Sequence, residues 1–314
     1  MQRFETTRST SHENICYSDD ETELNNQLSM WLDSAKTELD KNTSIKAVVA
    51  PYDGYAFSGP TQGWAYKYLQ GFQGSTVFLV GPYNNVKSMK CGVSVCKDVD
   101  TPLGNLTLNK QICTELLDIN ENPEESGDDE HREKMFLPVD LDTDEEECSL
   151  EMQYPFIKKL FKDSVEIVPI YIGDINKDQE TKYAEALSQY FERDDYLFVF
   201  VSNLCHWGQK YAFTKHNPDE GEIFEGVEKL DKHVMQEIER QDPEQFHNFI
   251  SSSEMIMSSK SVIAIMLHLI DTSNFNLKTK FVRYSQSNHV TNKFGDSISY
   301  GSAIVFIDDN EYTT

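Results

Sequence analysis

Basic residues are scarce in this chain: 28 Lys and Arg face 53 Asp and Glu, a formal net charge of −25 over 314 residues. Nucleic-acid affinity comes mainly from Lys and Arg neutralising phosphates, so the charge argues against a nucleic-acid partner. It argues equally against an anionic membrane surface. Long hydrophobic runs are also missing. The start, "MQRFETTRST", has no apolar core of signal-peptide length. The most apolar stretch, "SVIAIMLHLI", is as long as a buried helix and too short for a membrane span. The six cysteines (Cys16, Cys91, Cys96, Cys113, Cys148 and Cys205) form no C-x-x-C pair and no regular framework. Dispersal of this kind predicts reduced thiols in the cytoplasm. No Gly/Ser/Pro linker and no internal repeat divides the chain, so one domain over 1–314 is expected.

What is present is an alternation of two patterns. Leu24, Leu28, Trp31 and Leu32 share one face of a helix in "ETELNNQLSMWLDSAK". Ile223, Val227, Leu230, Val234 and Ile238 do the same in "GEIFEGVEKLDKHVMQEIER". Between such helices lie short continuous apolar runs, "AVVA", "TVFLVG", "VEIVPIYI", "YLFVFV" and "AIVFI", which fit strands covered on both faces. The alternation predicts an α/β fold with a mostly parallel or mixed central sheet flanked by helices. In "SGPTQGWAYKYL", Ser58 reads as an N-cap with Pro60 in the first helical turn. One region breaks the alternation. Residues 120–147, from "NENPEESGDDEHREK" to "DLDTDEEE", are so acidic that they read as an exposed loop insertion. They lack the ligand spacing of an EF-hand.

Loops that follow strand ends are where open α/β sheets gather ligand groups. Two such loops read "APYDGY" (Tyr52, Asp53) and "GPYNNV" (Asn84, Asn85). A third, "SNLCHWGQ", carries Asn203, Cys205 and His206. Together with "TSHENICY", "TPLGNLTL", "DEEECSLEMQYP", "VPIYIGD", "GEIFEGVEKLDK" and "RYSQSN", these motifs resemble the Memo family, named for a mediator of receptor-driven cell motility. The resemblance runs from about Ser9 to Phe306. It implies a single α/β domain similar in fold to the class III extradiol ring-cleaving dioxygenases, with a histidine-rich iron or copper site, or its remains, at the loop end of the sheet. It also implies cytoskeletal or motility-linked roles and, in some members, recognition of tyrosine-containing peptides.

Position by position, the implied metal site does not carry over. Tyr52 stands where the resemblance implies histidine. Asn84 and Asn85 stand for two histidines, Asn203 for an aspartate, Cys148 and Gln153 for two histidines, and Met257 for a cysteine. His206 and Glu151 are retained. Imidazole binds copper, iron and zinc as a neutral ligand, whereas an amide carbonyl is a weak, hard donor. A phenol must ionise first, from a reference pKa near ~10. The expectation is therefore a vestigial pocket with no metal, no cofactor and no catalytic residue. The chain then reads as a pseudoenzyme binding protein partners, with a basic surface or a tyrosine-containing peptide, in a cytoplasmic, cytoskeletal or ciliary setting. An aromatic lining from Tyr52, Tyr83, Trp207 and Tyr211 suits such a partner, with core packing as the other use of those rings. Three other readings are weaker. One is an iron- or copper-dependent redox enzyme whose rearranged ligands come from Asp53, Cys148, Glu151, Cys205 and His206. A second is a Cys205–His206 nucleophile pair. The third, an Asp53–Glu151 acid/base pair, gives way to Asp53 serving the turn before Gly54.

Overall fold

The computed structural model describes residues 3–37, 39, 43–121 and 133–308. Its strands are β1 (Thr7–Arg8), β2 (Ile45–Ala50), β3 (Thr76–Pro82), β4 (Cys91–Ser94), β5 (Asp98–Val99), β6 (Leu106–Thr107), β7 (Phe136–Val139), β8 (Glu166–Ile172), β9 (Tyr196–Val201), β10 (Asn203–Trp207), β11 (Leu277–Gln286) and β12 (Ser297–Ile307). The helices are α1 (Glu21–Ser34), α2 (Tyr55–Lys67), α3 (Lys110–Asp118), α4 (Leu141–Glu146), α5 (Cys148–Glu151), α6 (Tyr154–Phe161), α7 (Lys177–Phe191), α8 (Ile223–Glu239), α9 (Pro243–Ser253) and α10 (Lys260–Thr272). Nine strands make one sheet in the order β10-β12-β2-β9-β3-β8-β4-β7, with β11 on the far side of β12. The remaining three, β1, β5 and β6, form a small separate sheet.

The apolar runs became the middle of the large sheet. β2, β9, β3 and β8 pair parallel to one another. Every residue of β3 is buried, as are all but the first of β2, β8 and β9. β12 is antiparallel to β2 and closes that side. Helices cover both faces, which gives the expected mixed α/β fold in one domain. Leu24, Leu28, Trp31 and Leu32 form the buried face of α1. Ile223, Val227, Val234 and Ile238 of the expected α8 face are buried, Leu230 is only partly so, and Asp231 and Glu237 are buried as well. Trp31, Tyr55, Tyr66 and Phe156 interlock beneath α1 and α2, with Tyr66 and Phe156 stacked at 4.7 Å.

Two local expectations need correction. α2 begins at Tyr55, one turn before Ser58, because the Cys16 carbonyl accepts the Tyr55 N–H at 2.7 Å. Ser58 is buried inside the helix, and its hydroxyl donates to the Asp53 carbonyl at 2.9 Å. Pro60 lies in the helix interior. Its missing N–H would have served Ala56, a solvent-exposed residue, so water can satisfy that carbonyl.

The second correction concerns 120–147. Of this range, 122–132 lie outside the described residues, but the rest is not an exposed loop. Phe136–Val139 is a strand paired parallel to β4, with Phe136 and Val139 buried. Leu141–Glu146 is helical, and both Asp144 and Glu147 are fully buried. Acidic composition misled here because these two carboxylates have dedicated partners, which are set out below. Among the described residues, no helix is long and apolar enough to cross a membrane.

Candidate functional site

Because β2, β3 and β9 run parallel, their carboxyl ends open on one edge of the sheet and bring Tyr52, Asn84 and Asn203 together. The Asn203 amide grips the main chain of Tyr52 from both sides: Oδ1 accepts the Tyr52 N–H at 3.0 Å, and Nδ2 donates to the Tyr52 carbonyl at 2.7 Å. The Tyr52 phenol, buried with its ring, donates to Asn84 Oδ1 at 3.2 Å and lies 3.1 Å from Ser258 Oγ. Burial pushes that phenol well above its ordinary pKa, against iron-binding phenolate. Glu147 completes the chain of contacts. Its carboxylate accepts the N–H groups of Asn84 (2.6 Å), Asn85 (3.2 Å) and Ser149 (3.0 Å), and the Asn84 amide at 3.1 Å. Asn85 reaches outward and donates to the Glu146 carbonyl.

Asp53 and Glu151 do not pair with each other. Asp53 Oδ1 accepts the Gly54 N–H at 2.7 Å, and Oδ2 accepts the Tyr300 hydroxyl at 2.5 Å, the turn role foreseen for it. Glu151 is the hub of a second network. Oε1 accepts from Ser11 N–H, His12 N–H and Tyr17 OH, while Oε2 pairs with Arg8 Nη2 at 2.8 Å and His12 Nδ1 at 2.9 Å. Burial alone would raise this carboxyl. The His12 hydrogen bonds, the Arg8 guanidinium and the Tyr17 hydroxyl outweigh it and hold the pKa at about 2. Arg8, fully buried, also binds Asp144 Oδ1 at 2.8 Å, and Tyr171 OH donates to the same oxygen at 2.6 Å.

The other expected residues scatter. Gln153 is a core residue and not a pocket residue: Nε2 donates to the Pro51 carbonyl, and Oε1 accepts from Gln62 and Tyr66. The Cys148 thiol is pushed up to about 12 by burial and by Glu147. Cys205 and His206 are consecutive on β10. Cys205 is buried and its main-chain N–H binds Asp231, while burial raises its thiol, the wrong direction for a nucleophile. His206 Nδ1 lies 3.2 Å from the Leu204 carbonyl, its ring meets Tyr211 edge-on, and burial lowers its pKa. Met257 is buried. Among the described residues, no three His, Cys, Asp or Glu side chains are placed to hold a metal ion.

Of the four aromatic candidates, Tyr52 and Trp207 are core residues, Trp207 with its indole N–H on the Lys215 carbonyl. Tyr83, stacked on Tyr171, and Tyr211 remain partly exposed. Sequence reasoning missed Arg8, His12, Tyr17, Asp144, Glu147 and Tyr300. The apolar "FLPV" ahead of "DLDTDEEE" was the available sign that this acidic stretch folds back on the sheet.

Behind β10, Asp231 is buried between the Cys205 N–H (3.0 Å) and the Tyr284 hydroxyl (2.8 Å), and burial lifts its carboxyl to about 6. A raised folded-state pKa gives stability that is full below the ordinary carboxyl range and lost as pH rises through about 6. Asp231→Asn should therefore flatten the pH dependence of urea unfolding between pH 4 and 8, by about 2–3 kcal/mol. Identical profiles for the two proteins would contradict this.

The geometry defines a single-domain α/β protein whose loop-end site is cross-linked by amide, phenol and carboxylate groups. The chain belongs to the Memo-like protein family, whose model matches residues 8–304. It is 30% identical to the memo-1 homolog of Caenorhabditis elegans over 98% of this chain and 84% of that one. It is 29% identical to the MEMO1 protein of Xenopus laevis and 28% to that of Homo sapiens, each over 96% of this chain and 97% of the relative.

Proposed function

We propose that this chain is a non-catalytic member of the family, a pseudoenzyme that acts by binding other proteins. The observation that carries the reading is the hydrogen-bonded chain that runs from Asn203 through Tyr52 and Asn84 to Glu147. The polar groups at the old ligand positions bond to one another and to the main chain. Among the described residues, His206 has no second imidazole placed with it to hold a metal ion. Ile15 and Phe294 are each 81% exposed and Phe57 is 51% exposed, which leaves apolar side chains available for a protein contact. The net charge of −25 favours a partner with a basic surface. A tyrosine-bearing peptide would have to dock on Tyr83 and Tyr211 at the rim, since Tyr52 and Trp207 are packed inward. A cytoskeletal, motility-linked or ciliary assembly in the cytoplasm is the setting this reading carries with it.

The test is metal content. Purified protein exposed to Fe(II), Cu(I), Cu(II) and Zn(II) and then desalted should retain far less than one equivalent of any of them, with no thermal shift. One equivalent lost on His206→Ala would replace this reading with a redox enzyme using rearranged ligands.

A further inference from the structure

On the other side of Trp207, the Phe213–Glu220 segment lies against the first turns of α8 and borders a half-open cavity of about 320 Å³. Phe213, Val227 and Leu230 form its apolar wall, His216, Glu220 and Gly226 lie beside them, and Lys215, Asn217 and Ser253 contribute to the rest of the lining. Gly226 sits inside a helix, where glycine is unfavourable. A methyl group there would come within 3.3 Å of His216 Nδ1 and 3.5 Å of Glu220 Oε2, so the glycine keeps this wall thin. His216 Nδ1 is buried without a hydrogen-bond partner. Native proteins rarely leave a buried polar atom unpaired, and each instance calls for an explanation. The nitrogen is tucked against Gly226, and both residues line the cavity, so a ligand would reach it by a rotation of the imidazole about its Cβ–Cγ bond.

We propose that this cavity is a binding site for a neutral monocyclic phenol, its ring against Phe213, Val227 and Leu230 and its hydroxyl on the His216 imidazole. Size sets the class. Ligand pockets span about 300–1,000 Å³, so this one sits at the small end and excludes nucleotide-sized cofactors. An apolar cavity of about 150 Å³ already admits benzene, so one ring with a short substituent fits. Charge sets the rest: the lining lysine, Lys215, is paired with Glu254 at 3.7 Å, and Glu220 and the acidic chain disfavour anions, while an unpaired imidazole nitrogen rewards a hydroxyl over a plain hydrocarbon. The site is separate from the hydrogen-bonded chain around Tyr52 and does not depend on the proposed protein-binding role.

The full chain, labelled with ¹⁵N, is titrated with p-cresol and with toluene, which matches it in shape but has no hydroxyl. Saturable amide shifts centred on Phe213, Gly226, Val227 and Leu230 are expected, with p-cresol about five-fold tighter. His216→Phe should make the two ligands equal, and Gly226→Val should abolish both. Absence of saturable shifts at these residues overturns the proposal. So does equal affinity for the two ligands in the wild type, or binding unchanged by Gly226→Val. If that variant does not fold, the His216→Phe comparison decides.

Discussion

Arg8→Met should destabilise the protein by about 3–5 kcal/mol, the cost of leaving buried charges without their counter-ion. The side chain is fully buried and contacts Asp144 Oδ1 and Glu151 Oε2, each at 2.8 Å. Its removal strands two carboxylates whose other donors among the described residues are the Tyr17 and Tyr171 hydroxyls, main-chain N–H groups, His12 and the Cys96 thiol. Urea unfolding at pH 7 measures the loss, and a change below about 1 kcal/mol would show that the cluster had rearranged to cover it. The triple variant Arg8→Met, Asp144→Asn, Glu151→Gln should recover part of the loss, because neutral partners no longer need the guanidinium. The wild type should also show an acid limb. The Glu151 carboxyl, held at about 2 against an ordinary 4.5, gives stability that is present above about pH 4.5 and lost as pH falls towards 2. Glu151→Gln should remove that limb.

Asn203→Asp, isosteric and the residue that the family resemblance places here, should cost a similar 3–5 kcal/mol at neutral pH. The amide both donates to and accepts from the main chain of Tyr52. A carboxylate keeps the acceptor, loses the donor, and sets a buried negative charge against the Tyr52 carbonyl. The introduced carboxyl is expected to titrate upward, so the variant's stability should improve as pH falls and the group protonates into a donor. If the variant matched the wild type at pH 7, the double grip on Tyr52 would carry little weight. Asn203→Ala separates the charge from the lost bonds and should cost less than the aspartate.

The sheet was legible because its strands are uninterrupted apolar runs, and burial on both faces has no other signature of that length. β2, β3, β8, β9 and β12 all fall where "AVVA", "TVFLVG", "VEIVPIYI", "YLFVFV" and "AIVFI" predict. Placement of Tyr52, Asn84 and Asn203 at one edge followed from strand direction. What stayed hidden depends on partners distant in sequence. Nothing local marks Asp144 as a core residue, since the guanidinium that neutralises it lies 136 residues earlier. Glu147 reads as one more acid in a run until the N–H groups of the β3 loop are seen to point at it. Gln153 looked like a replaced ligand in a motif, but its direction is set by Gln62 and Tyr66 on α2, which no spacing within the motif reveals.

The Asn203–Tyr52–Asn84–Glu147 chain also bears on how this site could change. Each member is the neighbour's counterpart, so a single substitution by imidazole leaves an orphan group nearby, at about 1–3 kcal/mol. Building a metal site here must cross less stable intermediates or move several positions at once. The arrangement works as a ratchet, and mutation reshapes the exposed rim more readily than the bonded centre.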